Sequence, residues 1–238
     1  MRTEIENLVQ KWYGASEQRY SDGQLLEMIY NRVGENSRVL DVGAGTGEKF
    51  SYDLKGRVAE MAGADLDSRV ETNSLLDRGL CGDITAIPVE NGYFDLVFCR
   101  YVLEHIAKPE QFLREMHRVL KRGGHFVFLT PNKWHYVSVF ARLTPHWFHG
   151  WYNARLRGRD EKDTFPTLYR LNTKRALRRY LGAAGFVEET LIQRETCPGY
   201  LLWSKPAFYI GLAYERFVNS TPMLSGLRVH LLGSFVKE

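Results

Sequence analysis

Residues 40–48, LDVGAGTGE, decide the fold. They overlap the apolar run RVLDV (38–42) and place glycines at 43, 45 and 47 directly behind it, at the start of a predicted short helix. Glycine at such a strand end permits backbone angles that a Cβ forbids and lets the chain approach a ligand closely. A dinucleotide fingerprint, G-x-G-x-x-G, would require glycine at 48, where this chain has Glu48, so NAD and FAD are disfavoured. A carboxylate at a helix start also opposes a bound phosphate, whereas it tolerates an ammonium or sulfonium group.

Working outward, short apolar runs alternate with helical patterns as a parallel α/β sheet requires. Strands are predicted at 38–42, 60–66 (EMAGADL), 78–81, 94–99 (FDLVFC) and 125–129 (HFVFL). The helix before the fifth strand starts at Pro109, places Phe112, Leu113, Met116, Val119 and Leu120 on one face, and is expected to end at Gly123-Gly124. A helix over 173–184 follows, with Asn172 or Thr173 as its cap, then strands at 186–193 and about 227–235. Carboxylates recur at the strand ends. Asp65, preferred over Asp67, is placed to accept both hydroxyls of a ribose, and Asp83 to accept from an adenine amino group with Ile84 packing on the ring.

These motifs resemble the class I S-adenosylmethionine-dependent methyltransferases, in particular the small-molecule branch that includes ubiquinone and menaquinone biosynthesis enzymes. The resemblance rests on VLDVGAGTG (39–47), GADLD (63–67), GDITAIPVENGYFDLVFCRYVLEHI (82–106) and MHRVLKRGG (116–124), in that order. It implies a Rossmann-like, doubly wound sheet of seven mostly parallel strands whose last two form an antiparallel pair, with helical and aromatic insertions. It also implies S-adenosyl-L-methionine as cofactor and S-adenosyl-L-homocysteine as product. Carried over, Gly43, Ala44 and Gly45 approach the methionine moiety, Asp41 orients their loop, Asp65 with Leu66 holds the ribose, Asp83 and Ile84 hold the adenine, and Arg100 flanks the sulfonium. Tyr20, in an N-terminal helical lid, would bond the methionyl carboxylate.

Methyl transfer to an alcohol or phenol also needs a base, and His105, just past the fourth strand, is the candidate. The segment after the fifth strand holds the candidate acceptor residues Trp134, His135, His146 and His149. His146-x-x-His149 lacks the further ligands of a metal centre, so no metal is expected. The reading is therefore methyl transfer to a small organic or lipid-linked acceptor at an oxygen. Carbon methylation of a quinone or isoprenoid, or a non-catalytic cofactor-binding partner subunit, are its alternatives.

The 238 residues are 44% hydrophobic and 25% charged, which excludes collagen, long disorder and a disulfide miniprotein. They are read as one domain: a lid (1–35), a cofactor-binding core (36–130), an acceptor-recognition insertion (131–172) and a second insertion (196–224). Three cysteines form no ligand or disulfide pattern, and the N-terminus carries Glu4 and Glu6 without a signal-type apolar stretch, so a cytoplasmic setting is expected. The net charge of +4 is uneven: residues 142–179 carry ten Lys or Arg against three acids. That +7 segment suits a substrate phosphate or a membrane surface, and nucleic acid is the least favoured partner. Residues 200–218 show Ala207, Ile210, Tyr214, Phe217 and Val218 at helical spacing, the face expected to pack on the domain, on a second copy, or on a membrane.

Overall fold

The computed structural model describes residues 2–14, 21–143 and 166–238. The chain divides into two compact units. One, the sheet unit, comprises Gln24–Thr130, Leu168–Ile192 and Leu231–Glu238; the other, the helical unit, comprises Met1–Gly23, Pro131–Thr167 and Gln193–His230.

The sheet unit holds seven strands: β1 (Arg38–Val42), β2 (Glu60–Asp65), β3 (Arg78–Cys81), β4 (Phe94–Arg100), β5 (Leu120–Pro131), β6 (Phe186–Arg194) and β7 (His230–Lys237). Their order is β3-β2-β1-β4-β5-β7-β6, with β7 antiparallel to both neighbours and the rest parallel. Apolar residues alternate between the faces because successive side chains of a strand point oppositely. Leu40, Val42, Val97, Cys99, Phe126 and Phe128 join one core; Val39, Leu96, Phe98, Val127 and Leu129 join the other. Helices cover both. Leu25 and Ile29 of α2 (Ser21–Tyr30) enter the second core, while α3 (Pro109–Val119) and α5 (Lys174–Ala183) supply Phe112, Met116, Leu177 and Leu181 to the first.

Two sequence expectations need correction here. The glycine loop after β1 runs into turns and bends: residues 43–59 contain no helix, so the case against phosphate at Glu48 rests on its charge and not on a helix end. Likewise, α3 stops at Val119, well before Gly123. The N–H groups of Gly92 and Tyr93 donate to the carbonyls of Arg118 and Val119 at 2.8 Å each, so the last helical turn is satisfied by the turn that leads into β4. Gly123, at φ +76°, instead forms part of an irregularity where β5 passes from pairing Phe94 with Leu120 to pairing Leu96 with His125. The cap of α5 is Thr173, which accepts from the Ala176 N–H at 3.1 Å.

In the helical unit, α1 (Arg2–Tyr13) packs Ile5 and Val9 with Cys197 and with Phe208 and Leu212 of α6 (Lys205–Asn219). A further helix, α4, spans Tyr136–Leu143. Ser204 caps α6 by accepting from Ala207, and the buried face of that helix is Ala207, Phe208, Gly211, Leu212, Glu215 and Val218. The stripe expected from sequence spacing is thus displaced. Ile210 and Phe217 point outward, because the inner face is set by Phe208 and Leu212 meeting α1.

Candidate functional site

The carboxyl ends of β1, β2, β3 and β4 lie side by side in the sheet unit, the place where open α/β sheets take ligands. The loop after β1 turns at Gly43, whose φ of +81° suits glycine, and a Cβ there would lie 2.4 Å from Val102 Cγ2. Gly45, at φ +50°, donates its N–H to Asp65 Oδ2 at 2.8 Å. A Cβ on Gly45 would meet only that same oxygen, at 3.9 Å, so the missing side chain leaves a space beside the Asp65 carboxylate.

Asp65 Oδ1 accepts from the Asp67 N–H at 2.9 Å. Two backbone bonds leave acceptor capacity on a carboxylate that has about four lone-pair sites. Asp67 is committed elsewhere: it accepts from the Arg69 N–H and guanidinium, which hold its carboxyl down at about 2. Leu66, 61% exposed, offers an apolar surface beside Asp65, and Ala44 packs partly buried on the second core. At the end of β3, Asp83 Oδ1 accepts from both the N–H and the hydroxyl of Thr85 at 2.8 Å, and these bonds lower its pKa. Ile84, half-buried, packs against the first core.

Asp41 is buried and accepts from the Tyr52 hydroxyl at 2.9 Å. Burial, with the nearby Asp65 charge, pushes its carboxyl up to about 7. Arg100 lies over the Phe50 and Tyr101 rings at 4.9 and 4.6 Å. The strand ends thus bring the carboxylates of Asp65 and Asp83 to one edge of the sheet, an arrangement that favours a cationic ligand. Glycines that open space beside Asp65, its spare acceptor capacity and an exposed leucine next to it fit a ribonucleoside carrying a positive charge, as S-adenosylmethionine does.

Just beyond β4, Tyr101 adopts φ +56° while its N–H bonds Leu129 O at 2.9 Å. Such backbone costs about 1–3 kcal/mol in a non-glycine residue and persists where the surroundings enforce it. It feeds the turn Leu103–His105. Glu104 of that turn is buried; its Oε2 accepts from Thr130 at 3.1 Å, Thr130 Oγ1 accepts from Asn172 Nδ2 at 2.6 Å, and burial raises the Glu104 pKa to about 7. The Glu104 backbone oxygen takes the N–H groups of Leu168 and Tyr169, the latter at φ +51°. His105 Nε2 stands 4.0 Å from Glu104 Oε1, on a partly exposed side chain.

Gly43, Ala44, Gly45, Asp41, Asp65, Leu66, Asp83, Ile84, Arg100 and His105 all belong to the sheet unit. Trp134 and His135 belong to the helical unit. Trp134 is exposed with Lys133 over its ring, whereas His135 is 1% exposed, packed on Tyr136 and Tyr214, with Nε2 3.4 Å from Glu195 Oε2. Tyr20, His146 and His149 lie outside the described residues. Sequence reasoning missed Glu104, although it adjoins the chosen His105, and it missed Asn73. The Asn73 amide bonds Ala44 O and Gly45 O at 3.3 and 3.2 Å and so fixes the glycine loop from a turn with no motif of its own.

Residues 40–128 match the family model described as methyltransferase domain. A ubiquinone/menaquinone biosynthesis C-methyltransferase from Yersinia enterocolitica is 34% identical over 114 residues, 42% of this chain and 45% of the relative, so the chain spans about half the length of the curated relatives it matches. Among solved structures, geranyl diphosphate C-methyltransferase from Streptomyces coelicolor aligns over 91% of this chain and 79% of its own, with 14% identity and a TM-score of 0.56. The [4+2]-cyclase SpnF aligns over 94% and 83%, with 19% identity and a TM-score of 0.55. At these identities the two structures speak for the fold alone. That one of them is named for a cyclisation shows why chemistry has to be argued from the site.

Proposed function

We propose that this chain, a member of the class I S-adenosylmethionine-dependent methyltransferases through residues 40–128, transfers a methyl group to an oxygen of a small organic or lipid-linked acceptor. The observation that carries the reading is the Asp65 carboxylate, bonded to the Gly45 N–H at 2.8 Å beside the space that glycine leaves. Asp65 accepts from the ribose hydroxyls, Asp83 and Ile84 hold the adenine, and Arg100 with the Gly43–Gly45 backbone lines the methionyl end. S-adenosylmethionine supplies an electrophilic methyl whose carbon–sulfur bond breaks as the acceptor oxygen bonds to it.

The chain's part is chiefly alignment, because fixing two reactants in line removes several kcal/mol of barrier. The acceptor hydroxyl must also lose its proton. His105 takes it, and the resulting imidazolium has Glu104 4.0 Å away to stabilise its charge. Thr130 and Asn172 hold that carboxyl in place from behind. Calorimetry with S-adenosylmethionine and S-adenosylhomocysteine tests the core of the proposal, and absence of binding to either overturns it. With an acceptor in hand, His105→Ala and His105→Asn are expected to lower kcat about 100-fold or more while leaving cofactor affinity unchanged; full turnover removes His105 as base.

A second reading, methylation at carbon, is favoured by the activity named for the Yersinia relative. Transfer of a 13C-labelled methyl separates the two, since an oxygen-bound methyl carbon resonates well downfield of a carbon-bound one.

A further inference from the structure

We propose that the outward face of α6 in the helical unit docks on an anionic lipid surface. Ordinary surface helices are apolar on one side only. On α6 the inner side is filled by Phe208, Leu212 and Val218, yet the opposite side is apolar as well: Ile210 is 67% exposed, Phe217 61% and Tyr209 46%. Pro206 and Ala213, also exposed, complete the same face at helical spacing. Trp203 precedes the helix, and Met223, 92% exposed, and Leu227 follow it in the Pro222–Leu227 turn that packs against it.

Single exposed apolar residues are normal. Six of the fourteen large exposed hydrophobic side chains among the described residues, however, fall within residues 203–227. A cluster of that kind marks an interaction surface.

Charge identifies the occupant. Of the residues 193–230, only Glu195 and Glu215 are carboxylic, and both are buried. Of the four cations there, Arg194 and Arg228 are partly buried, whereas Lys205 and Arg216 are exposed and border the apolar face on the same side of the helix. Lys205 pairs with exposed Glu4 at 2.9 Å, a surface contact of little worth that anionic headgroups can replace, and Arg216 reaches the buried Glu215 at 3.3 Å while its own side chain stays exposed. Over the whole sequence, the helical unit carries 13 Lys or Arg against 9 Asp or Glu, while the sheet unit carries 19 against 19. The entire net charge of +4 therefore belongs to the unit that presents this face. Tryptophan, tyrosine and phenylalanine with bordering Lys and Arg are the composition of a helix lying in the bilayer interface, where apolar side chains enter the acyl boundary and cations meet phosphate.

Lipid docking is independent of methyl transfer and is tested without it. The full chain is sedimented with vesicles of phosphatidylcholine alone and of phosphatidylcholine with phosphatidylglycerol, at low and high salt, beside the Ile210→Glu/Phe217→Glu and Lys205→Gln/Arg216→Gln variants. Circular dichroism and cofactor calorimetry verify that each variant is folded. The expected result is pelleting with anionic vesicles that weakens with salt, falls about tenfold or more for each apolar residue replaced and falls several-fold for the charge variant. Protein that stays in the supernatant at low salt overturns the proposal, as does equal pelleting with phosphatidylcholine alone or undiminished pelleting of the Glu variant. Sedimentation velocity without lipid supplies a further outcome: a dimer that the Glu variant dissolves assigns the face to a second copy and overturns lipid docking.

Discussion

Glu104 is a carboxyl that folding takes out of water and offers one hydroxyl, that of Thr130. Its pKa rises from 4.5 to about 7, with desolvation the largest cause. The native state therefore holds the proton more tightly than the unfolded chain, and its share of stability is fully present below about pH 4.5 and is lost as pH rises through 7. At about 1.4 kcal/mol per pH unit the loss is about 3 kcal/mol. Glu104→Gln keeps an acceptor for Thr130 and abolishes the titration, so denaturant unfolding of this variant between pH 4.5 and 8 is expected to show a flatter profile than the parent. A profile as steep as the parent's removes Glu104 as the cause. In the proposed function, Asp65 is instead an acceptor for the cofactor's ribose. Losing two charge-assisted bonds at about 1.5 kcal/mol each predicts that Asp65→Ala weakens S-adenosylmethionine binding by about 100-fold or more in calorimetry.

At the scale of elements, the loop after β1 and the Leu103–His105 turn after β4 are fitted through Gly43 and Val102, which leave no room for a Cβ between them. Gly43→Ala meets both that contact and the positive φ, and a loss of about 2–4 kcal/mol in urea unfolding is expected. Adding Val102→Ala should return the contact part and leave the backbone part, so a double mutant no more stable than Gly43→Ala sinks the fitted-loop account. Elements of this kind explain what the sequence made legible. β1 and β4 announce themselves as buried apolar runs, and the glycines and Asp65 follow β1 and β2 at short range, so the place of the proposed cofactor residues at the strand ends was legible. The trio Glu104, Thr130 and Asn172 was not legible, because its members lie 26 and 42 residues apart: pairing of β4 with β5 brings Glu104 to Thr130, and the segment whose Leu168 and Tyr169 N–H groups bond Glu104 O brings in Asn172. The end of α3 was misplaced for a related reason: Gly92 and Tyr93 stop the helix, not the glycines that follow it in sequence. On α6, spacing revealed an apolar helix but not which side meets α1, since both sides are apolar.

For the whole molecule, the division into two units sorts function by chemistry. Every described residue assigned to the cofactor belongs to the sheet unit, whereas the proposed lipid face belongs to the helical one. Ligand that binds only the folded sheet unit stabilises it by about 2.7 kcal/mol at 100 times Kd, which slows exchange of amides released by its opening about 100-fold. Hydrogen exchange with S-adenosylmethionine is therefore expected to show protection across residues 40–47, 63–67, 82–85 and 99–105. Tyr20, read as a lid residue, adds a distinguishable outcome. If its hydroxyl holds the methionyl carboxylate, residues 12–20 gain protection with the cofactor and lose that gain in Tyr20→Phe. No gain in the parent removes Tyr20 from the site. Exchange is the better experiment than deleting residues 1–30, because that deletion also takes Leu25 and Ile29, both fully buried in the sheet unit, and so would abolish binding by unfolding the core whether or not a lid exists.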